Sequence, residues 1–129
     1  MNVLVIDDSA VMRRIHRNAL TEHGIPDDSI FEASDGEAAL KMSAERRMDL
    51  FLVDWNMPKL DGFQLVKKLR SVSHYAATPI IMITSEAAKY NVMEAINAGV
   101  TNYVVKPIKG DVLWQKLKKY IEPGAGGGA

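Results

Sequence analysis

The sequence contains no cysteine among its 129 residues. Disulfide scaffolds, cysteine-type zinc sites and thiol catalysis are therefore excluded, and the composition is consistent with a reducing compartment. An excess of charge of one sign is also lacking, because 16 Lys and Arg balance 16 Asp and Glu. This neutrality gives no general electrostatic reason to bind nucleic acid or an anionic membrane. Any binding specificity must come from a local group of side chains.

Long hydrophobic runs and processing signals are lacking as well. Apolar stretches such as 79–83 fall far short of the ~18 residues that a membrane-spanning helix needs. The amino terminus enters the apolar run Val3–Ile6 directly, without the basic flank and small-residue cleavage site of a signal peptide. We therefore expect a cytoplasmic protein with no membrane insertion.

Hydrophobic residues make up 47% of the chain, whose length suits one globular domain. Short β-branched runs alternate five times with segments of helical period, which is typical of a parallel sheet with crossover helices. We therefore predict an α/β fold with a doubly wound, five-stranded parallel sheet in a (βα)5 arrangement, formed by residues 1–122. The Gly- and Ala-rich residues 123–129 are predicted to be a disordered tail. The predicted strands are 2–6, 29–33, 50–54, 79–84 and 102–105.

Five helices are predicted between and after these strands. The first begins near Ser9 and stops at Gly24, and the second follows Asp35 and runs to about residue 46. The third begins at the cap Asp61, the fourth spans 87–98, and the fifth begins at the cap Asp111. The apolar faces expected to pack on the sheet are Val11, Met12, Ile15 and Ala19 in the first helix, and Leu113, Leu117 and Ile121 in the fifth.

Polar side chains follow the predicted strands where each strand ends. In a right-handed doubly wound sheet these carboxyl ends share one edge, and ligands bind in the crevice where the strand order reverses. Residues that are far apart in the sequence should therefore converge at one place. They are Asp7, Asp8, Asp54, Thr84 and Lys106.

Three carboxylates this close require a proton or a cation, because each pair at ~4 Å repels by roughly 4 kcal/mol at an effective dielectric of about 20. Oxygen ligands without His or Cys favour a hard ion, and a site that leaves positions for water and phosphate oxygens favours Mg²⁺. Lys106 and Thr84 could contact the oxygens of a transferring phosphoryl group. Asp54 is then the natural nucleophile and would become an aspartyl phosphate.

Five motifs, in order at the strand ends, resemble the receiver domain of response regulators, and in particular the single-domain chemotaxis type. The motifs are Asp7-Asp8, 54–58 (DWNMP), Asp61-Gly62, 84–86 (TSE) and 103–107 (YVVKP). The resemblance extends from Val3 to about Ile121. It also supplies the flavodoxin-like strand order 2-1-3-4-5, which the strand pattern alone does not give.

The resemblance implies specific roles for these residues. Asp54 would accept a phosphoryl group from the phosphohistidine of a sensor histidine kinase. Asp8 and Asp54 would bind Mg²⁺ directly, together with the backbone carbonyl of Asn56, while Asp7 would act mostly through water. Thr84 and Tyr103 match the switch pair of the family: phosphorylation draws the Thr84 hydroxyl toward the site, and the Tyr103 ring moves inward.

The implied function is a single-domain response regulator of two-component signalling that signals by phosphorylation-dependent protein binding, in chemotaxis and flagellar motor control. Apart from its own phosphorylation and dephosphorylation, it would not be an enzyme. The expected partners are a sensor histidine kinase, a flagellar motor switch protein or other output protein, and a phosphatase. The chain itself is expected to be a monomer. The implied output surface comprises the fourth helix, the fifth strand and the fifth helix, with Lys89, Tyr90, Tyr103 and Lys116.

Two alternative interpretations keep the receiver domain: a phosphorelay intermediate, and a receiver excised from a longer regulator. A haloacid dehalogenase-type hydrolase is disfavoured, because its nucleophile lies on the first strand with a second Asp two residues later, whereas Ser9 and Ala10 follow Asp8 here. A flavodoxin-type phosphate loop is disfavoured because Asp7 and Asp8 would repel the phosphate. Neither glycine-rich nucleotide-binding motif occurs.

Overall fold

A computed structural model describes residues 1–55, 57, 60–84, 89–106 and 109–121. All five predicted strands are present, and their ends differ from the prediction by no more than one residue. The strands are β1 (Val3–Ile6), β2 (Ile30–Ala33), β3 (Leu50–Asp54), β4 (Ile80–Thr84) and β5 (Asn102–Val105). The helices are α1 (Ala10–Glu22), α2 (Gly36–Glu45), α3 (Gly62–Ser71), α4 (Lys89–Ala98) and α5 (Gly110–Ile121). Short 3-10 turns at Asp27–Ser29 and Ser73–Tyr75 precede β2 and β4.

The strands form one parallel sheet in the order β2-β1-β3-β4-β5. This order confirms the doubly wound 2-1-3-4-5 arrangement. The pairing register places Ile6 beside Val53 and Asp54 beside Ile83, so the strands end at a common edge. The short segments that follow β1, β3, β4 and β5 therefore emerge next to one another.

Helices cover both faces of the sheet. In β3, Leu50 and Leu52 pack toward α1 and α5, whereas Phe51 and Val53 pack toward α2, α3 and α4. Strands β1, β3 and β4 are buried along their whole length, as central strands covered on both faces must be. The continuous apolar runs of the sequence are thus explained by burial on two sides.

Side chains cap three of the helices. Ser9 accepts a hydrogen bond from the Met12 backbone N–H, and Asp35 and Asp61 cap α2 and α3 in the same way. Such a cap typically contributes about 1 kcal/mol. Gly24 follows α1 with φ +96°, a left-handed conformation that favours glycine and confirms the predicted stop.

The predicted apolar face of α1 is partly wrong. Ala19 is buried as predicted and Met12 is half-buried, but Val11 is 69% exposed and Ile15 is 38% exposed. The other buried residues of the helix are His16 and Leu20. The helix has two stripes of residues at helical spacing, one with Val11 and Ile15 and one with His16 and Leu20. The short connection from β1 fixes the rotation of the helix so that the stripe with His16 and Leu20 packs on the sheet. The sequence pattern alone does not contain this rotation.

The start of α5 also differs from the prediction. The helix begins at Gly110, so Asp111 lies in its first turn and is not the cap, although an acidic side chain there still interacts favourably with the helix dipole. Leu113 and Leu117 are buried as predicted, and the side chain of Ile121 lies outside the described residues. The predicted fourth helix is present from Lys89, and residues 87 and 88 lie outside the described part.

Two further predictions concern the carboxyl-terminal tail and membrane-spanning helices. The tail at 123–129 and the domain limit at residue 122 lie outside the described residues. Within the described ranges, no helix has the length and apolar content needed to cross a bilayer.

Candidate functional site

Three aspartates cluster at the carboxyl edge of the sheet. Asp7 follows β1, Asp54 ends the neighbouring β3, and Asp8 comes next after Asp7 in the chain. Their carboxylate oxygens, one from each residue, all lie within 4.8 Å of one another. Asp7 is fully buried and Asp54 is 2% exposed, whereas Asp8 is exposed to solvent. The structure thus brings together the three carboxylates that the sequence singled out.

Asp7 is held in place through its backbone and through one carboxylate oxygen. Its N–H donates to the Ala33 carbonyl at 3.1 Å, and its Oδ1 accepts from the Ser9 N–H at 2.9 Å. Burial raises the pKa of Asp7 to about 6; the hydrogen bond from Ser9 opposes this rise, and the negative charge of Asp54 adds to it. A cation near this carboxylate would favour its charged form.

Lys106 supplies positive charge to the cluster. Its Nζ lies 3.3 Å from Asp54 Oδ1 and 3.7 Å from Asp7 Oδ2, and its side chain is largely buried. The backbone N–H of Lys106 donates to the Thr84 carbonyl at 2.7 Å, which continues the β4–β5 pairing past the end of β5. This bond fixes the point from which the lysine side chain reaches across the sheet edge.

The site residues divide between the two faces of the sheet. Side chains alternate along a strand, so Asp54 shares the α1–α5 face with Leu52, and Lys106 shares it with Val104. Thr84 is buried at the end of β4, on the opposite face with Met82, and Tyr103 packs on that same face. Asp54 and Lys106 therefore lie on one side of the sheet, and the predicted switch pair lies on the other.

The donor set suits a hard divalent cation. All three acidic residues offer oxygen, which Mg²⁺ prefers. Three carboxylates facing one ammonium leave two negative charges in excess when all are ionised, and Asp7 Oδ2 is buried with no hydrogen-bond partner among the described residues. The residues present therefore fit Mg²⁺. Asn56, whose carbonyl is the predicted fourth ligand, lies outside the described part of the chain.

Comparison with known protein families shows to which family this chain belongs. The family described as "Response regulator receiver domain" matches residues 3–118. This chain belongs to that family. Receiver domains of this kind are signalling proteins.

Relatives of this receiver domain include several chemotaxis proteins. The CheY homolog of Campylobacter jejuni (strain 81-176) is 44% identical over 130 residues, covering all of this chain and 98% of the relative. CheY1 of Helicobacter pylori (strain 26695) is 47% identical over 119 residues, with coverage of 92% and 94%. The solved structure of CheY4 from Vibrio cholerae superposes with a TM-score of 0.86 at 33% identity, covering 93% of this chain and 98% of that one. The receiver domain is thus CheY-like in sequence and fold.

Tyr103 lies beside a small apolar cavity. The cavity has a volume of about 100 Å³. The half-buried Tyr103 forms one wall, and the ammonium of Lys116 lies 4.2 Å from the centroid of its ring. Such a contact is a cation–π interaction, so the ring is held from the side of α5. The cavity walls also include Met82, Val92, Ala95, Ile96 and Val100.

The predicted output residues are only partly described. Lys116 and Tyr103 form the contact just given, while the side chains of Lys89 and Tyr90 in the first turn of α4 lie outside the described residues. Sequence reasoning missed the exposed apolar side chains of this region. They are Met93 and Ile96 in α4, Val105 in β5 and Val112 in α5.

Two residues near the receiver site were not singled out from the sequence. Arg13 Nη1 donates to the backbone carbonyl of Asp7 at 2.6 Å. His16 is fully buried, and neither ring nitrogen has a hydrogen-bond partner among the described residues. Burial, together with the positive charge of Lys106, lowers the pKa of His16 to about 4. The helical spacing of His16 to Ala19 and Leu20 was the signal that could have identified the buried position.

Trp55, the residue after Asp54, is buried against the start of α3. It is 8% exposed and meets Phe63 edge to face, with 6.4 Å between ring centroids. A Cβ at Gly62 would lie 2.7 Å from Trp55 Cε3, so the first residue of α3 must lack a side chain. The indole is therefore enclosed one residue away from Asp54.

Replacing Trp114 with Phe should preserve a Mg²⁺-dependent change in tryptophan fluorescence, because Trp55 adjoins the acidic cluster. Trp114 stacks on His23 at 4.8 Å, beyond the far end of α1, about 20 Å from Ser9 at 1.5 Å per helical residue. A fluorescence titration of the Trp114→Phe and Trp55→Phe variants at fixed pH measures this. A response that disappears with Trp114 would contradict the assignment to Trp55.

Proposed function

We propose that this chain is a response regulator of the single-domain chemotaxis kind, whose Asp54 accepts a phosphoryl group from the phosphohistidine of a sensor histidine kinase in the cytoplasm. The observation that supports this most directly is the setting of Asp54. Its carboxylate is buried, lies 3.3 Å from the Lys106 ammonium and belongs to a cluster with two further carboxylates. A nucleophile, a fixed cation and an oxygen-rich metal site are the parts that phosphoryl transfer to a carboxylate requires.

The chemistry begins with the Asp54 carboxylate. One of its oxygens attacks phosphorus, the bond from phosphorus to the donor nitrogen breaks, and the electron pair of that bond leaves with the donor. Asp8 and Asp54 would hold Mg²⁺ directly with the Asn56 carbonyl, and Asp7 would act mostly through water. Bound Mg²⁺ supplies positive charge against the phosphoryl oxygens.

Lys106 gives the phosphorylated state a different set of contacts. Its ammonium is shared between Asp54 and Asp7 before transfer. Phosphorylation puts additional negative charge on Asp54, so the lysine pairs with a phosphoryl oxygen through a stronger, charge-assisted contact. The Thr84 hydroxyl would donate to another phosphoryl oxygen from the opposite face of the sheet.

The output would follow from a movement of the Tyr103 ring. As the hydroxyl moves toward the phosphoryl group, the Tyr103 ring would turn into the adjacent cavity of about 100 Å³. That movement changes a region where Lys116 and the exposed Met93 and Ile96 lie. An apolar patch with a basic side chain suits a protein partner, and the chemotaxis relatives favour a flagellar motor switch protein in that role.

Incubation of the wild-type chain with acetyl phosphate and Mg²⁺ tests the proposal. Intact-mass measurement should show the addition of one phosphoryl group, which hydroxylamine removes because an acyl phosphate is susceptible to it. EDTA should prevent the addition. No mass increase with Mg²⁺ present, or an equal increase in EDTA, would contradict the proposed chemistry. Loss of swimming reversals on deletion of the gene would separate motor control from a phosphorelay role.

The Ala95→Val variant should take up phosphate normally and yet fail to move Tyr103. The added methyl groups occupy the cavity wall, so turning the ring inward would overpack the space at a cost of about 1–3 kcal/mol. This cost lowers the ratio of inward to outward rings by about fivefold or more. Ring resonances of Tyr103, followed by NMR with and without beryllium fluoride as a phosphoryl mimic, measure this. Ala98→Val is the matched control, because Ala98 is buried in the same helix but does not line the cavity. Equal Tyr103 shifts in both variants would argue against inward movement.

A further inference from the structure

Arg13 connects the side chain of Glu32 in β2 to the backbone of the acidic cluster. Its Nε donates to Glu32 Oε1 at 2.9 Å, and its Nη1 donates to the carbonyl oxygen of Asp7 at 2.6 Å. The Arg13 side chain is 17% exposed and that of Glu32 is 31% exposed, so the ion pair is partly shielded from water. The Arg13 guanidinium thus connects β2 to the segment that follows β1.

Glu32 is itself fixed by a second arginine. Its Oε2 accepts from Arg17 Nε at 2.8 Å, so the two carboxylate oxygens hold one guanidinium each. Arg17 also donates to Asp27 and to the Ile30 carbonyl. These contacts make Glu32 a fixed anchor for Arg13.

Both backbone groups of Asp7 are therefore connected to β2, the N–H directly and the carbonyl through Arg13. Its N–H donates to the Ala33 carbonyl, and its carbonyl accepts from Arg13, which rests on Glu32. The peptide unit that leads from Asp7 to Asp8 therefore has a fixed orientation. Asp8, whose side chain is exposed, takes its direction from that peptide.

We propose that Arg13, anchored by Glu32, is a positioning residue that presets the Asp7–Asp8 segment for Mg²⁺. The inference rests on the proposed function, since it assigns these aspartates to metal binding. Arg13 does not touch the metal; it orients the peptide from which two of the carboxylates project. Partners of this kind typically change metal affinity by 10–100-fold, because a ligand that is already oriented loses less freedom on binding.

An arginine is required because the two contacts use different nitrogens of one planar group. The Nε and Nη1 atoms point along fixed directions toward Glu32 and Asp7. A lysine has a single nitrogen on a flexible stem and cannot hold both acceptors in the same way. Arg13→Lys should therefore retain only part of the effect.

The sign of the change in affinity distinguishes positioning from electrostatics. A guanidinium beside the cluster repels a cation, so loss of its charge alone would tighten Mg²⁺ binding. Loss of positioning weakens it. We expect the Mg²⁺ dissociation constant of Arg13→Met to rise about tenfold.

Arg17→Met is the matched control. It removes the same charge and the same partner, Glu32, and it also removes the bonds to Asp27 and Ile30, but it leaves the Asp7 carbonyl contact in place. Urea unfolding should show a loss of stability in both variants. Mg²⁺ titration of Trp55 fluorescence in a Trp114→Phe background should show a much larger loss of affinity in Arg13→Met than in Arg17→Met, which loosens the Glu32 anchor but keeps the Asp7 contact. The Asp7 carbonyl ¹³C resonance of the metal-free protein should shift in Arg13→Met and stay in place in Arg17→Met.

Each outcome has a definite meaning. Absence of Mg²⁺ binding in the wild-type chain would overturn the proposed function itself. Wild-type binding together with equal or tighter binding in Arg13→Met would overturn the positioning role alone. If Arg13→Met does not fold, Glu32→Gln, which weakens the anchor and keeps Arg13, takes its place and should raise the dissociation constant in the same direction; unchanged affinity there would equally overturn the inference.

Discussion

The Asp54→Asn variant should take up no phosphoryl group from acetyl phosphate, whereas each wild-type chain should take up one. The amide is uncharged and is a poor nucleophile, and it also withdraws one of the two carboxylates expected to bind Mg²⁺ directly. Intact-mass analysis in the presence of Mg²⁺ measures the difference. The fold should persist, because Asn keeps the size of the buried side chain.

Asp49→Asn provides the control for this variant. Asp49 precedes the same strand and accepts a hydrogen bond from the Asn2 N–H at 2.7 Å, at the opposite edge of the sheet. Five residues of strand separate it from Asp54 by about 17 Å, so its replacement should leave phosphorylation unchanged. Uptake by Asp54→Asn at the wild-type rate would show that another residue is the acceptor.

Replacing His16 with Leu should raise the stability of the metal-free protein relative to wild type as the pH falls from about 6.5 to 4. The folded-state pKa of His16 is lowered from 6.5 to about 4, so the unfolded chain binds a proton that the folded chain excludes. The His16 contribution to stability is therefore complete above the unfolded pKa and is lost as the pH falls toward the folded pKa. The difference between the two proteins should amount to about 3 kcal/mol across this window.

Asp7 acts in the opposite direction over nearly the same pH range. Its folded-state pKa is raised from 3.8 to about 6, so its contribution is present below the unfolded pKa and lost as the pH rises through the folded value. The two groups should largely cancel in the wild-type protein. In His16→Leu the contribution of Asp7, which favours stability on acidification, should no longer be offset by His16.

Urea unfolding in EDTA at several pH values measures the His16 prediction, and the difference between variant and wild type removes the common titration of other carboxylates. His74→Gln provides a control for the loss of a histidine, because the His74 side chain is exposed. A level difference curve for His16→Leu would mean that the buried imidazole does not titrate as described.

The sequence predicted those parts of the molecule that depend on local pattern and on general rules of topology. The five strands follow from β-branched runs, and the cap Asp61 follows from cap chemistry. The convergence of Asp7, Asp54 and Lys106 at one edge follows from the shared direction of parallel strands. The strand order required resemblance to a known family, because alternation of strands and helices fits several orders.

Features set by rotation and packing were not predictable in this way. Which stripe of α1 meets the sheet depends on the three-dimensional path between β1 and α1, so the burial of His16 and the exposure of Val11 were missed. The contact from Arg13 to Asp7 was also missed. The spacing of Arg13, Arg14 and Arg17 is typical of a solvent-exposed helix face and does not indicate a buried contact.

The division of the site residues between the two faces of the sheet bears on how such a protein diversifies. Asp54 and Lys106 belong to one layer, and Thr84 and Tyr103 belong to the other. Under the proposed function, substitutions that change partner binding could accumulate in the layer of Tyr103 while the proposed phosphate-binding groups stay the same. The choice of partner and the lifetime of the phosphorylated state could then change separately, with Thr84 as the residue that couples the two layers.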